Sequence, residues 1–78
     1  MTLLDVAFRY GRPPGETALR ALNEAREVYG VWAIRFDEKN RMVRVEYDAS
    51  RLNSDDLAFL LRNAGVDLRE EVPLIAHP

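Results

Sequence analysis

The chain contains no cysteine. That one absence excludes disulfides, thiolate metal sites and thiol nucleophiles together. Histidine is nearly absent too: His77 stands alone beside the last residue, where a solvated imidazole is the expectation. Met1 and Met42 are too far apart in sequence to suggest a thioether site. No apolar run approaches membrane-spanning length. The start, Met1-Thr2-Leu3-Leu4-Asp5, lacks the basic residues and long apolar stretch of a secretory signal. These readings predict a soluble cytoplasmic protein with no membrane insertion. An excess of positive charge is missing as well. The formal net charge is −2, which argues against a dedicated nucleic-acid binder. Lys39 is the only lysine, and arginine supplies the other cations. No nucleophile is paired with a base, so no enzyme activity and no cofactor are expected.

What is present is an ordinary globular mixture. The 78 residues are 47% hydrophobic and 31% charged. This length predicts one small domain that buries only about 60% of its unfolded surface.

Leu4, Val6, Phe8 and Tyr10 alternate with Asp5, Ala7 and Arg9, the period of a strand with one buried face. Gly11-Arg12-Pro13-Pro14-Gly15 breaks the pattern and reads as a loop. A helix is expected from Pro14 to Glu16 onward, with Ala18, Ala21, Leu22, Ala25, Val28 and Tyr29 on one face. Gly30 suits its C-terminal stop, since glycine adopts positive φ without steric cost. Val31–Phe36 reads as a second strand, with Trp32, Ile34 and Phe36 toward the core. Val31, Ala33 and Arg35 would face away. Asp37-Glu38-Lys39-Asn40 is a polar hairpin turn, with Asn40 the expected left-handed residue. The third strand, from about Arg41 to Tyr47, turns Val43, Val45 and Tyr47 inward. Asn53 or Ser54 caps a second helix, with Asp55 and Asp56 in its first turn. Leu57, Leu60, Leu61 and Ala64 form its buried stripe, and Gly65 stops it. A last strand falls within Val66 to Ile75, and Pro73 assigns it to a sheet edge.

The order β-α-β-β-α-β is the ferredoxin-like plan, an α+β fold with a four-stranded antiparallel sheet and both helices on one face. In that plan the second and fourth strands are the edges. The open face would show Asp5, Ala7, Arg9, Ala33, Arg35, Arg44 and Glu46, a mixed-charge surface without the stacking aromatics of sheet-surface RNA readers.

Gly30-Val31, the hairpin, Val43-Arg44-Val45-Glu46-Tyr47-Asp48, Ser54-Asp55-Asp56-Leu57 and Ala64-Gly65 follow one another at a spacing that resembles the heavy-metal-associated domain family. Its members are small copper and zinc chaperones and the N-terminal domains of metal-pumping ATPases. The resemblance covers nearly the whole chain. That family carries Gly-Met-x-Cys-x-x-Cys in its first loop, and the two thiolates hold a soft cation for transfer to a partner. With the motif's glycine placed at Gly11, its methionine falls at Arg12 and its cysteines at Pro14 and Thr17. Proline offers no ligand and threonine only a hard, neutral hydroxyl. The resemblance therefore implies a degenerate member without tight soft-metal binding, acting as an interaction or regulatory module.

Two rival readings remain. One is an atypical heavy-metal accessory protein. The other is an amino-acid-sensing ACT-type domain, whose first loop often contains Arg-Pro-Gly, similar to Arg12-Pro13-Pro14-Gly15. Acylphosphatases share the topology, but their glycine-rich loop is not reproduced here. Gly11, Arg12 and Gly15 precede a helix N-terminus and form a candidate anion- or partner-binding loop. The acidic pairs Asp37-Glu38, Asp55-Asp56 and Glu70-Glu71 lack Ca²⁺-loop spacing and read as solvated. The second strand, Val31-Trp32-Ala33-Ile34-Arg35-Phe36, has no proline and one charge. As an unguarded edge it is the candidate surface for a protein partner or for self-association.

Overall fold

The computed structural model describes residues 2–72. The elements run β1 (Leu3–Tyr10), α1 (Glu16–Tyr29), β2 (Val31–Asp37), β3 (Met42–Asp48), α2 (Ser54–Ala64) and β4 (Leu68–Val72). The strands form one antiparallel sheet in the order β2-β3-β1-β4. This is the expected ferredoxin-like α+β arrangement, with β2 and β4 at the edges. Pro73 and His77 lie outside the described residues.

The helix ends follow from local chemistry. Gly15 precedes α1 without a side-chain cap, and Gly30 closes it at φ 80° with its N–H on the Arg26 carbonyl. Asn53 caps α2 in a reciprocal box. Its side chain accepts from the Asp56 N–H at 2.8 Å, and the Asp56 carboxylate accepts from the Asn53 N–H at 3.0 Å. In the hairpin the left-handed residue is Arg41, at φ 51°, and not Asn40. Asn40 instead folds back on Asp37, donating from its backbone at 3.3 Å and from Nδ2 at 2.8 Å. Those two bonds hold it out of the left-handed position, which passes to the next residue.

One sheet face carries the core. Val6, Phe8, Tyr10, Val43, Val45 and Tyr47 pack there against Leu22 of α1 and Leu57 and Leu61 of α2. Three expectations for that core need correction. Trp32 is 52% exposed and Val31 is buried in its place. The cause is a bulge: Val31 pairs with Tyr47, and Ala33 with Glu46, the next residue of β3. Trp32 is therefore one residue too many. Beyond the bulge Ile34 and Phe36 return to the core side, as the alternation predicts. Leu4 is exposed at the start of β1, ahead of Ala7 to Tyr10, the stretch that the described part of β4 pairs with. Val28 and Tyr29 are exposed at the last turn of α1, beyond Leu22, while Ala25 is half-buried.

The opposite face is mixed in charge. Arg44 donates to Asp5 at 2.6 Å, and Arg9 pairs with Glu70 at 3.4 Å. Ala7, on that face, is buried, and with Arg35 and Arg44 it lines a shallow dip. Asp48, at the end of β3, is also buried. It accepts from the Ser50 hydroxyl at 2.6 Å and the Ser50 N–H at 3.0 Å, which hold its carboxyl below the usual range. No described helix is long and apolar enough to cross a membrane.

Candidate functional site

The β1–α1 loop and the first turn of α1 hold Gly11, Arg12, Pro14, Gly15 and Thr17, the candidate residues that the sequence singles out. Gly11 is tied down from two sides. Its N–H donates to the Asp67 carbonyl at 2.9 Å, and its carbonyl accepts from Arg41 Nη1 at 2.8 Å. The Arg12 N–H donates to Asp67 Oδ2 at 3.0 Å, and the Arg69 guanidinium reaches the same oxygen at 3.2 Å. Asp67 is held below the usual carboxylate range, first by the Arg12 N–H and further by the guanidiniums of Arg69 and Arg12. Asp67 thus engages the loop's first two amides, Gly11 through its backbone carbonyl and Arg12 through its carboxylate. A Cβ at Gly11 would collide with that carboxylate and with the Arg69 guanidinium, so a larger residue would have to displace both side chains. Pro14 is half-buried in the loop and Thr17 is exposed in the first turn of α1. Gly15 is exposed with open space about its Cα. Among the described residues, no three histidine, aspartate or glutamate side chains gather as a metal site would need.

Asp67 and Arg41 carry this clamp, and neither stands out in the sequence. Arg12 and Asp67 are 55 positions apart, and no local pattern announces a carboxylate that reaches back over that span.

Tyr10 ends β1 beneath the hairpin. Its ring meets Phe36 edge-to-face at 5.6 Å. Its hydroxyl is buried without a hydrogen-bond partner. Burial, with the charges of Glu38 and Asp37, pushes the phenol's pKa up despite Arg41 nearby. An orphaned hydroxyl costs stability, because water bound it in the unfolded chain. Tyr10→Phe is therefore expected to raise stability by roughly 1 kcal/mol, read as a higher urea midpoint at unchanged slope. A lower midpoint would mean that the hydroxyl has a partner in solution.

The second candidate surface is the β2 edge. Val31 is buried, Trp32 and Arg35 are exposed, and Ala33, Ile34 and Phe36 are half-buried. Trp32 borders a shallow hollow with Arg26, Glu27 and Gly30. The bulge twists the start of this edge, leaving Ala33–Asp37 as its regular part.

A third surface lies between the helices. A groove of about 480 Å³ runs between Ala21, Ala25 and Tyr29 of α1 and Leu52, Phe59, Leu60 and Ala64 on the α2 side, with Asp56 and Asn63 as its polar groups. Phe59 is 67% exposed. It falls off the Leu57-Leu60-Leu61-Ala64 stripe, and that displacement was the available sequence signal.

The arrangement defines a small ferredoxin-like domain with a polar-clamped first loop. No family model matches the chain, and no curated protein matches it at a significant level.

Proposed function

We propose that this chain is a non-catalytic interaction module of the heavy-metal-associated type, without tight soft-metal binding, that meets a protein strand at the β2 edge. The observation that carries the reading is Trp32. A large aromatic stands 52% exposed on an edge strand. Edge strands offer unpaired N–H and C=O groups to another strand, and exposed aromatics anchor interfaces. The order of elements and the loop spacing support the family resemblance. Pro14 and Thr17, at the cysteine positions, supply no soft ligand. The strand that docks comes from a second copy or from a protein partner.

Trp32→Glu removes the anchor and places a charge on the edge while sparing the core, since Val31 holds the buried position. Wild type is expected to self-associate with rising concentration in sedimentation equilibrium, and the variant to remain monomeric with unchanged circular dichroism. A wild type monomeric throughout removes the self-pairing form. A dimer indifferent to the substitution places the interface elsewhere.

A further inference from the structure

We infer that the end of the sheet beside the β2–β3 hairpin is a binding site for a small phosphomonoester. This goes beyond the interaction reading and uses a different surface. An open hollow of about 520 Å³ is bordered by Arg9 of β1, Lys39 and Arg41 of the hairpin, and Arg69 of β4. Four cations from three parts of the chain thus converge around one space. The carboxylate bordering it is Glu70, in a protein whose net charge is negative. The only lysine is among them.

Two of the cations are anchored by the chain itself. Arg41 places one guanidinium nitrogen on the Gly11 carbonyl at 2.8 Å, and Arg69 is braced by Asp67 at 3.2 Å; Arg9 meets Glu70 at 3.4 Å in an exposed pair that a bound anion would compete with. A guanidinium carries five N–H donors in a planar fork, so each anchored arginine keeps donors to spare. A single fork engages carboxylate and phosphate alike, but donors that converge from three parts of the chain suit a tetrahedral dianion with several acceptor oxygens. With Glu70, the nearby carboxylates of Asp37, Glu38 and Asp67 match the four cations in number, but of these four carboxylates only Glu70 borders the hollow; Asp37 is hydrogen-bonded by Asn40, and Asp67 faces Arg12 and Arg69.

Two irregularities of the backbone fall at the same spot. Arg41 has φ 51°, a left-handed conformation that an arginine adopts at a cost. It persists here because the Tyr10 N–H donates to the Arg41 carbonyl at 3.0 Å while the side chain holds Gly11. The pairing of β4 with β1 also slips. Phe8 faces Glu71 and Tyr10 faces Leu68, so β4 carries one extra residue across Arg69 and Glu70. A bulge re-aims the side chains it contains, and here those are two of the residues around the hollow. Tyr10, with its unpartnered hydroxyl, borders it as well.

The test is an amide-resolved NMR titration at constant ionic strength, with inorganic phosphate and phenyl phosphate as probes and sodium chloride as the control. Both phosphates are expected to give saturable shifts at Arg9, at Lys39 to Arg41 and at Arg69 and Glu70, and chloride none. The double substitution Arg9→Gln with Lys39→Gln should weaken phosphate at least about tenfold, the equivalent of one charge-assisted contact. Glu70→Gln should strengthen it, since it frees Arg9 of its carboxylate. Arg26→Gln with Arg51→Gln, equal in charge change but outside the hollow, should leave it unaltered. Shifts that never saturate, that appear equally with chloride, or that centre on Arg12 and the first turn of α1 would overturn the assignment. So would an equal loss in both double variants, which would mean that net charge alone is felt. Retention of association through Trp32 in the Arg9→Gln, Lys39→Gln variant, with phosphate binding lost, separates this site from the interaction surface.

Discussion

Replacing Pro14 and Thr17 together by cysteine is expected to convert a chain without a thiolate into a stoichiometric soft-metal binder. The two positions are three apart, one in the loop and one in the first turn of α1. Thiolates there would lie near a helix N-terminus, which lowers thiol pKa and favours the metal-binding form. Two thiolates suit Cu(I) or Zn(II), and such sites reach nanomolar affinity or better. Wild type should lose to a nanomolar-affinity chelator, and the double variant should compete with it. Pro14 and Thr17 are not core residues, so circular dichroism should stay the same. A folded double variant that gains no metal would sink the register proposed for the first loop, and with it the heavy-metal-associated reading. A tight Cu(I) complex of the wild type would sink the claim that the site is degenerate.

Leu57→Ala is expected to come close to unfolding the domain. Leu57 is 1% exposed and packs among Val43, Val45, Leu61 and the rest of one continuous core. Truncating a buried leucine costs about 2–5 kcal/mol, because lost transfer energy adds to a cavity the neighbours only partly fill. A chain of this length has a total stability on the order of 4–12 kcal/mol. The melting temperature should fall by roughly 8–40 °C, taking about 4–8 °C per kcal/mol for a domain this small. Val28→Ala is the contrast. Val28 sits in helix α1 but is 71% exposed, so its truncation should change stability by less than about 0.5 kcal/mol. Comparable losses at the two positions would mean that the last turn of α1 packs more tightly than its exposure indicates.

The periodicity of β3 carried its burial pattern in full, since Val43, Val45 and Tyr47 alternate on a central strand with a neighbour on each side. The caps were legible for the same reason. Asn53, Gly30 and Gly65 act within a few residues of themselves. Edges and ends were harder. The alternation of β2 reads equally well with Trp32 or Val31 inward, and only the pairing with β3 reveals the extra residue. The stripe of α1 continues to Tyr29 in the sequence, but periodicity does not say where the underlying layer stops. Within the first loop, the missing thiolates were plain from composition. The Asp67 clamp was not, because it joins segments at opposite ends of the chain. The cationic hollow was hidden likewise, its members being scattered from Arg9 to Arg69.

The strand order β2-β3-β1-β4 has a consequence for how the chain is assembled during synthesis. The first 64 residues contain three strands and both helices, enough to bring β1 against β3 and to cover one face. The edge of β1 that β4 will occupy stays bare until residues 68–72 have emerged. β1 is a central strand in the finished protein, with Val6, Phe8 and Tyr10 all buried, and Asp5 and Arg9 are its only charges against edge pairing. For that interval the nascent chain presents an apolar strand with unpaired amides, the surface that a second nascent chain or a chaperone would capture. The short last strand therefore contributes little to the core, but its arrival ends the period in which the domain can pair wrongly.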